Sequence, residues 1–271
     1  MTPLTALIAV EWRRLWARPG ARLGLFAAGM LGGLFVALTF ALRQSGAVLN
    51  GDPIFADATA AWAVGWALWF RNAGLFPGWM ALLAVAASAG DLETHVVRDD
   101  LMRPIRRRDA VLARFVALLG WSAATTAATL AVAAALGIPA FGLGVGWVGW
   151  VRAAALSLLG DALVAAFALA AGFATGRSLG ALTALLTGAL TCVGAAVLVF
   201  VGRLGVSAVG TGNPAFETVL NLAGTVLPQA AWAGWWGAEH AFDPIRGVAA
   251  VAWVALGLSA AAMALQRRQL T

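Results

Sequence analysis

Apolar residues in this chain gather into runs of roughly helix-crossing length, separated by short polar stretches rich in arginine. Six runs stand out: Leu23 to Leu42, Ala73 to Gly90, Phe115 to Leu136, Ala153 to Gly176, Leu179 to Gly202, and Gly247 to Leu265. About 20 apolar residues carry an α-helix across the hydrocarbon of a bilayer. The pattern therefore predicts an all-α, polytopic membrane protein with six transmembrane helices in a single domain, 1–271. Ahead of the first run, residues 4–18 read as an amphipathic helix. Leu4, Ile8, Trp12, Leu15 and Trp16 fall on one arc, and Arg13, Arg14 and Arg18 fall on the other. Such a helix lies in the headgroup layer as a lipid anchor, or forms an elbow that also touches a cytoplasmic partner. Pro19-Gly20 breaks it before the first run. Two weaker stretches do not fit. Ala58 to Phe70 is too short to span, and Thr218 to Gly237 is interrupted by Pro228. Both are expected to be external interfacial or re-entrant elements.

Composition sharpens this picture. Of 271 residues 62% are apolar and 11% charged, a balance that excludes a soluble domain. The formal charge is +6, and every one of the 18 basic residues is arginine. They sit beside apolar runs, which points to membrane orientation and not to a nucleic-acid surface. With the N-terminus inside, Arg13, Arg14, Arg18, Arg22, Arg98, Arg103, Arg106, Arg107, Arg108, Arg114, Arg177, Arg267 and Arg268 fall on the cytoplasmic side. Only Arg43, Arg71, Arg152, Arg203 and Arg246 fall outside. Both termini are thus expected in the cytoplasm, the membrane being a bacterial inner membrane, and the first helix is expected to be retained. The missing lysine excludes a P-loop, which needs one on the nucleotide phosphates, and also Schiff-base chemistry. The lone Cys192 allows no internal disulfide and is read as a small buried hydrophobe.

The densest chemistry lies between the second and third runs. There Asp91, Glu93, His95, Arg98, Asp99, Asp100, Arg103, Pro104, Arg106, Arg107 and Arg108 crowd into 18 residues. Orientation alone needs only positive charge. Mixed charge, with Asp99 and Arg103 four residues apart, suggests a structured helix presented to another protein, which Pro104 ends. A solvated loop is the alternative. The segment resembles the signature of ABC-2 type permeases, in which the second span ends in two acids one residue apart. A turn, a short coupling helix and a basic-proline stretch then lead into the third span. Asp91 and Glu93 match the acids, and Arg103-Pro104-Ile105-Arg106-Arg107 matches the basic-proline stretch. His95-Val96 stands in the place of the family's Gly-Thr. Glu11-Trp12-Arg13-Arg14 with Arg18-Pro19, and the terminal Gln266-Arg267-Arg268, also resemble family features. The resemblance implies a permease without a catalytic site or cofactor of its own. It would pair with itself or a sister subunit above an ABC ATPase dimer that alone binds ATP and Mg. Exporters and force transmitters to a periplasmic partner both belong to that class.

Inside the runs, Asp161 is the only deep acid, and no basic residue is expected at its depth. A proton-coupling site, a substrate contact and a polar lock between helices are the readings open to it. Thr183, Thr187 and Thr191 form a stripe on the fifth run, and Ser122, Thr125, Thr126 and Thr129 enrich the third. Glycines repeat every fourth residue at Gly29/Gly33 and Gly172/Gly176/Gly180, as helix-packing faces do. Trp62, Trp66, Trp69, Trp79, Trp147, Trp150, Trp232, Trp235 and Trp236 are read as an external aromatic belt. Trp62, Trp66 and Trp69 share a helical face, with an exit gate as the alternative. His240 with Glu239 and Asp243 is too loose for a metal site, and no hydrolase or protease motif occurs. A stand-alone carrier using Asp161 and a non-transporting scaffold remain as competing classes.

Overall fold

A computed structural model describes residues 3–46, 48–49, 52–53, 59–72, 76–96, 105–142, 147–191, 201, 218–219 and 244–268. Over these the fold is all-helical, apart from a two-residue antiparallel ladder between β1 (Val48–Leu49) and β2 (Asp52–Pro53). The helices are α1 (Pro3–Ala17), α2 (Pro19–Gln44), α3 (Ala60–Phe70), α4 (Phe76–Val85), α5 (Arg107–Phe141), α6 (Trp147–Thr175), α7 (Ser178–Thr191) and α8 (Pro244–Arg267). Four stretches are long and apolar enough to cross a membrane: Pro19–Gln44, Arg107–Phe141, Ala153–Thr175 and Gly247–Arg267. Phe26, Leu34 and Leu256 on their flanks are more than half exposed, which suits helices that meet lipid. The chain is a membrane-embedded helical protein. The end of the fifth run, Cys192, the stretch after residue 219 with Trp232, Trp235, Trp236, Glu239, His240 and Asp243, and Arg98, Asp99, Asp100, Arg103 and Pro104 lie outside the described residues.

The helices form two compact units, Met1–Leu83 with Ala113–Asp161 and Ala84–Leu112 with Ala162–Thr271. In the first, α2 and α5 run parallel. Trp121 Nε1 donates to the Ala21 carbonyl at 2.9 Å, and Thr129 Oγ1 donates to that of Ala28 at 3.0 Å. The helices come closest at Gly32, where a Cβ would stand 2.4 Å from the Thr129 carbonyl oxygen. Gly29 and Gly33, the pair singled out by the four-residue repeat, make only ordinary contacts with Val132 and Leu136. Spacing marks a face of one helix; it does not say which turn the neighbour crosses.

α3 and α4 run antiparallel to both. A Cβ on Gly137 would touch Ala60, the Phe70 ring lies 5.6 Å from Phe35, and Phe76 lies 6.2 Å from Trp121. Trp79 Nε1 then donates to the Gly20 carbonyl at 2.9 Å. From Ala60 to Trp79 the chain thus follows one direction, and Arg71 and Asn72 extend α3 in π-helical form, the backbone N–H of Arg71 meeting the carbonyls of Ala67 and Leu68. This corrects two expectations. The short apolar helix is not an element apart from the second run but the first half of its path, which begins at Ala60 and not Ala73. Trp79 reaches the start of α2, at the opposite end of this path from Trp62, so the two do not share one belt. The buried face of α3 is Ala60, Ala63, Val64, Ala67 and Leu68, and Val36 and Ala133 pack with its middle to form the core.

α1 docks through charge as much as apolar surface. Glu11 is 4% exposed, 3.3 Å from Arg14 and 3.5 Å from the buried Arg114 on α5. Leu15 is buried beside it, the Trp12 ring fills the space over Gly120, and Arg13 stays exposed. In the second unit α4 continues through a π-helical turn, Ala86–Gly90, into Asp91–Glu93. Ser88 of that turn fits against Gly172. α6 and α8 run parallel there, with the Phe167 ring tilted 42° to that of Trp253 at 6.1 Å and Ala166 against Gly257.

Gly32→Ala is expected to lower unfolding stability in detergent by about 1–3 kcal/mol, since a backbone oxygen must move to admit the methyl. Gly29→Ala is expected to stay within about 0.5 kcal/mol. Reversible denaturation of the two variants side by side checks both values.

Candidate functional site

The end of α3 carries a charge into the interior of the first unit. The Arg71 side chain is fully buried, and its Nη2 donates to Asp161 Oδ2 on α6 at 2.7 Å. The same nitrogen reaches Thr125 Oγ1 at 3.1 Å and Ser122 Oγ at 3.4 Å on α5. The Ser122 hydroxyl donates to the same Asp161 oxygen. Arg71 Nη1 donates to Asn72 Oδ1 at 3.0 Å, and Asn72 Nδ2 donates to Ser157 Oγ on α6 at 2.8 Å. Nε makes no hydrogen bond among the described residues, and the Phe76 ring centre lies 4.9 Å from the guanidinium carbon. A charge in a low-dielectric interior needs an opposite charge and hydrogen bonds around it. Here three helices converge to supply them.

Asp161 is therefore not alone at its depth, contrary to expectation. Arg71 flanks an apolar run in the sequence and reads there as an external end marker. In the fold it points inward, to Asp161. No pattern in the sequence links positions 71 and 161, ninety residues apart; only the Ser/Thr enrichment of α5 hinted at a polar interior. Thr183, Thr187 and Thr191 are exposed and donate to the carbonyls of Leu179, Thr183 and Thr187 on their own helix. They bridge to no neighbour through those bonds. Trp62, Trp66 and Trp69 form a ladder with ring spacings of 5.8 and 5.4 Å, on the side of α3 away from its buried face. Trp66 and Trp69 are 43% and 38% exposed, so the ladder faces outward and not into the first unit.

A second cluster gathers helix ends in the second unit. Glu93 accepts from the Ser178 N–H and hydroxyl, both at 2.8 Å, and so caps the start of α7. An anion there meets the positive end of the helix dipole. The Ser178 N–H and then its hydroxyl hold the Glu93 carboxyl below its ordinary value; burial opposes them more weakly, and the charge of Arg177 adds the least. Arg107 Nη1 donates to the carbonyls of Leu265 and Gln266 at 2.9 and 2.6 Å, at the end of α8. Arg268 in turn donates from Nε to Phe173 O and from Nη2 to Ala174 O, at 2.6 and 2.8 Å, at the end of α6. Gly176 closes α6 at φ 67°, and its missing Cβ leaves room for the Arg268 guanidinium. Cations at helix C-termini satisfy orphan carbonyls and complement the dipole. Asp91 is buried, Arg106 is exposed, and His95 adopts φ 61°, a left-handed conformation unusual for a side chain of its size. Glu93 and Arg107, expected as contacts to a partner, thus hold their own chain together. Among the described residues no group of three or more His, Cys, Asp or Glu side chains is placed to hold a metal. No protein-family model matches the chain, and no curated protein matches it.

Two measurements follow from these geometries. Arg71→Leu or Asp161→Leu alone leaves a buried charge unpaired and is expected to cost about 3–5 kcal/mol, while the double variant recovers most of it. A double-mutant cycle by detergent denaturation reads this directly, and a double variant as weak as the singles would contradict the pairing. For Glu93, a lowered folded-state value means that the charged cap adds stability above the ordinary value of 4.5 and loses it as pH falls through the folded value. Glu93→Gln is expected to melt below the parent at pH 7, and the gap should close under acid conditions, followed by thermal scans across pH.

Proposed function

We propose that this chain is the membrane-spanning permease subunit of an ATP-driven ABC transporter, driven by a separate ATPase subunit. In this reading the bundle has six crossings: α2, the α3–α4 path, α5, α6, the run beginning with α7, and α8. Both termini then lie in the cytoplasm, as the arginine distribution favours. α1 is the elbow helix, seated on α5 through Glu11 and Arg114. The observation that carries the proposal is the knot of helix ends around residues 91–96 and 105–108. A force applied to this segment reaches α7 through Glu93 and α8 through Arg107, and Arg268 passes it to α6. Rigid, charge-anchored ends suit an element that turns a small push into rearrangement of packed helices. His95 supports the family resemblance from another side, since its left-handed backbone is the conformation that glycine takes most easily in such a turn. The carrier reading is weakened because the Asp161 carboxylate is engaged by Arg71 and Ser122.

Purification from cells that co-express the neighbouring genes tests the proposal. A nucleotide-binding subunit is expected to co-purify and to hydrolyse ATP, and substitution of Arg106, exposed and without a hydrogen bond or ion pair among the described residues, is expected to weaken that association without unfolding the permease. Recovery of the chain with no nucleotide-binding subunit would overturn the reading.

A further inference from the structure

The π-helical turn Ala86–Gly90 interrupts a helix that runs from α4 into Asp91–Glu93, three residues ahead of the side chain that caps α7. In a π turn the N–H groups reach back five positions instead of four, so the turn holds one residue more than an α-helix would. One extra residue rotates everything after it by about 100° around the axis and moves it about 1.5 Å along. The register of Asp91 and Glu93 is therefore set by this turn. As built, Asp91 is buried, and the Glu93 carboxylate meets the Ser178 N–H and hydroxyl, both at 2.8 Å. With the turn closed to α-helix, both acids would swing by about 100° and Glu93 would leave the start of α7. Ala84 and Val85, just ahead of the turn, are buried, so the rotation falls on the residues that follow.

Two side-chain features hold the wide form. Ser88, fully buried in the middle of the turn, donates its hydroxyl to the Ala84 carbonyl at 2.7 Å and to that of Val85 at 3.3 Å. Such back-bonding supplies carbonyls whose regular ladder has been loosened. Opposite it, α6 carries Gly172, where a Cβ would overlap the Ser88 hydroxyl and stand 2.7 Å from the Ser88 Cβ. The gap at Gly172 is thus what admits Ser88. The turn itself reads Ala-Ala-Ser-Ala-Gly, with no side chain larger than a hydroxymethyl, so closing it displaces little around it. We propose that Ala86–Gly90 is a register switch for α7: the wide form, held by Ser88 in the gap at Gly172, keeps Glu93 on Ser178, and closure to α-helix withdraws that cap. In the transporter reading a push on residues 91–96 would release α7 in this way. The switch itself lies within the second unit and stands without an ATPase.

The test uses the full chain in detergent, with thermal scans at pH 7 and amide exchange at Ser178 as readouts. Deleting Ala87 removes the extra residue and fixes the closed form. Glu93→Gln, which lowers the melting temperature of the parent, is expected to have no effect in this deletion, because Glu93 has already left Ser178. Gly172→Ala keeps the chain length and is expected to silence Glu93→Gln in the same way. Adding Ser88→Gly to Gly172→Ala makes room for the wide turn again and is expected to restore the Glu93→Gln effect. Ser88→Ala removes only the bonds to the Ala84 and Val85 carbonyls and is expected to speed exchange of the Ser178 amide about fivefold. A full Glu93→Gln effect in either the deletion or Gly172→Ala would overturn the proposal. Unchanged Ser178 exchange in Ser88→Ala would overturn it equally, marking the turn as a fixed insert. None of these readouts involves an ATPase, so their failure is separate from failure of the transporter reading.

Discussion

The first unit is organised around one buried ion pair, Arg71 with Asp161. The end of α3 delivers a guanidinium into an apolar bundle where water cannot reach it. Such a charge persists there only if the surrounding helices supply acceptors. α6 supplies a carboxylate, and α5 supplies two hydroxyls, from Ser122 and Thr125. The pair also enforces register. Sliding α6 by one turn relative to α3 would move Asp161 by about 5.4 Å and strand two charges, which costs more than any apolar mismatch the small residues of α3 could cause. Close packing at Gly32 then fixes α2 on α5, which carries the hydroxyls.

Elsewhere the charges act at helix ends. Arg22 donates to the Trp16 carbonyl near the end of α1, Arg107 serves α8, and Arg268 serves α6, while Glu93 serves the opposite pole of α7. A guanidinium carries five donors in a planar fork, so one side chain can reach two carbonyls of a terminal turn. The exclusive use of arginine thus has a local explanation beyond membrane orientation. The same residues that mark the predicted cytoplasmic side also complete the helices that end there.

Much of this was readable from hydropathy. Ala153 to Gly176 anticipates α6, and Gly247 to Leu265 anticipates α8, to within a few residues at most ends, because lipid imposes length and apolarity on any long crossing helix. The third run underestimated α5, which extends through polar Arg107–Ala113 at one end and past Pro139 at the other. Neither stretch is apolar enough to count, yet both continue the helix. The place of Arg71 was misread for a related reason. A hydropathy pattern treats Arg71 as a boundary, whereas tertiary packing treats it as a partner for Asp161. The deep acid was visible as a single anomaly. Its cation was visible too, but assigned to the surface, because only the fold brings residues ninety positions apart into contact.

The two clusters differ in what a disturbance would do to each. In the first unit the polar groups are sealed among α3, α5 and α6, and removing one partner leaves a charge with nowhere to go. That arrangement resists motion. In the second, Arg107 and Arg268 bond backbone carbonyls and Glu93 accepts from Ser178 at helix ends, where water can replace these bonds during a rearrangement at modest cost. The ends of α6, α7 and α8 are each held by a different side chain, from residues 268, 93 and 107. Two of those three side chains belong to the segment on either side of 97–104. A subunit gripping that segment would therefore pull on α7 and α8 together, and α6 would follow only through Arg268. The order of these links makes Arg268 the one whose loss separates α6 from the other two while leaving the grip itself intact.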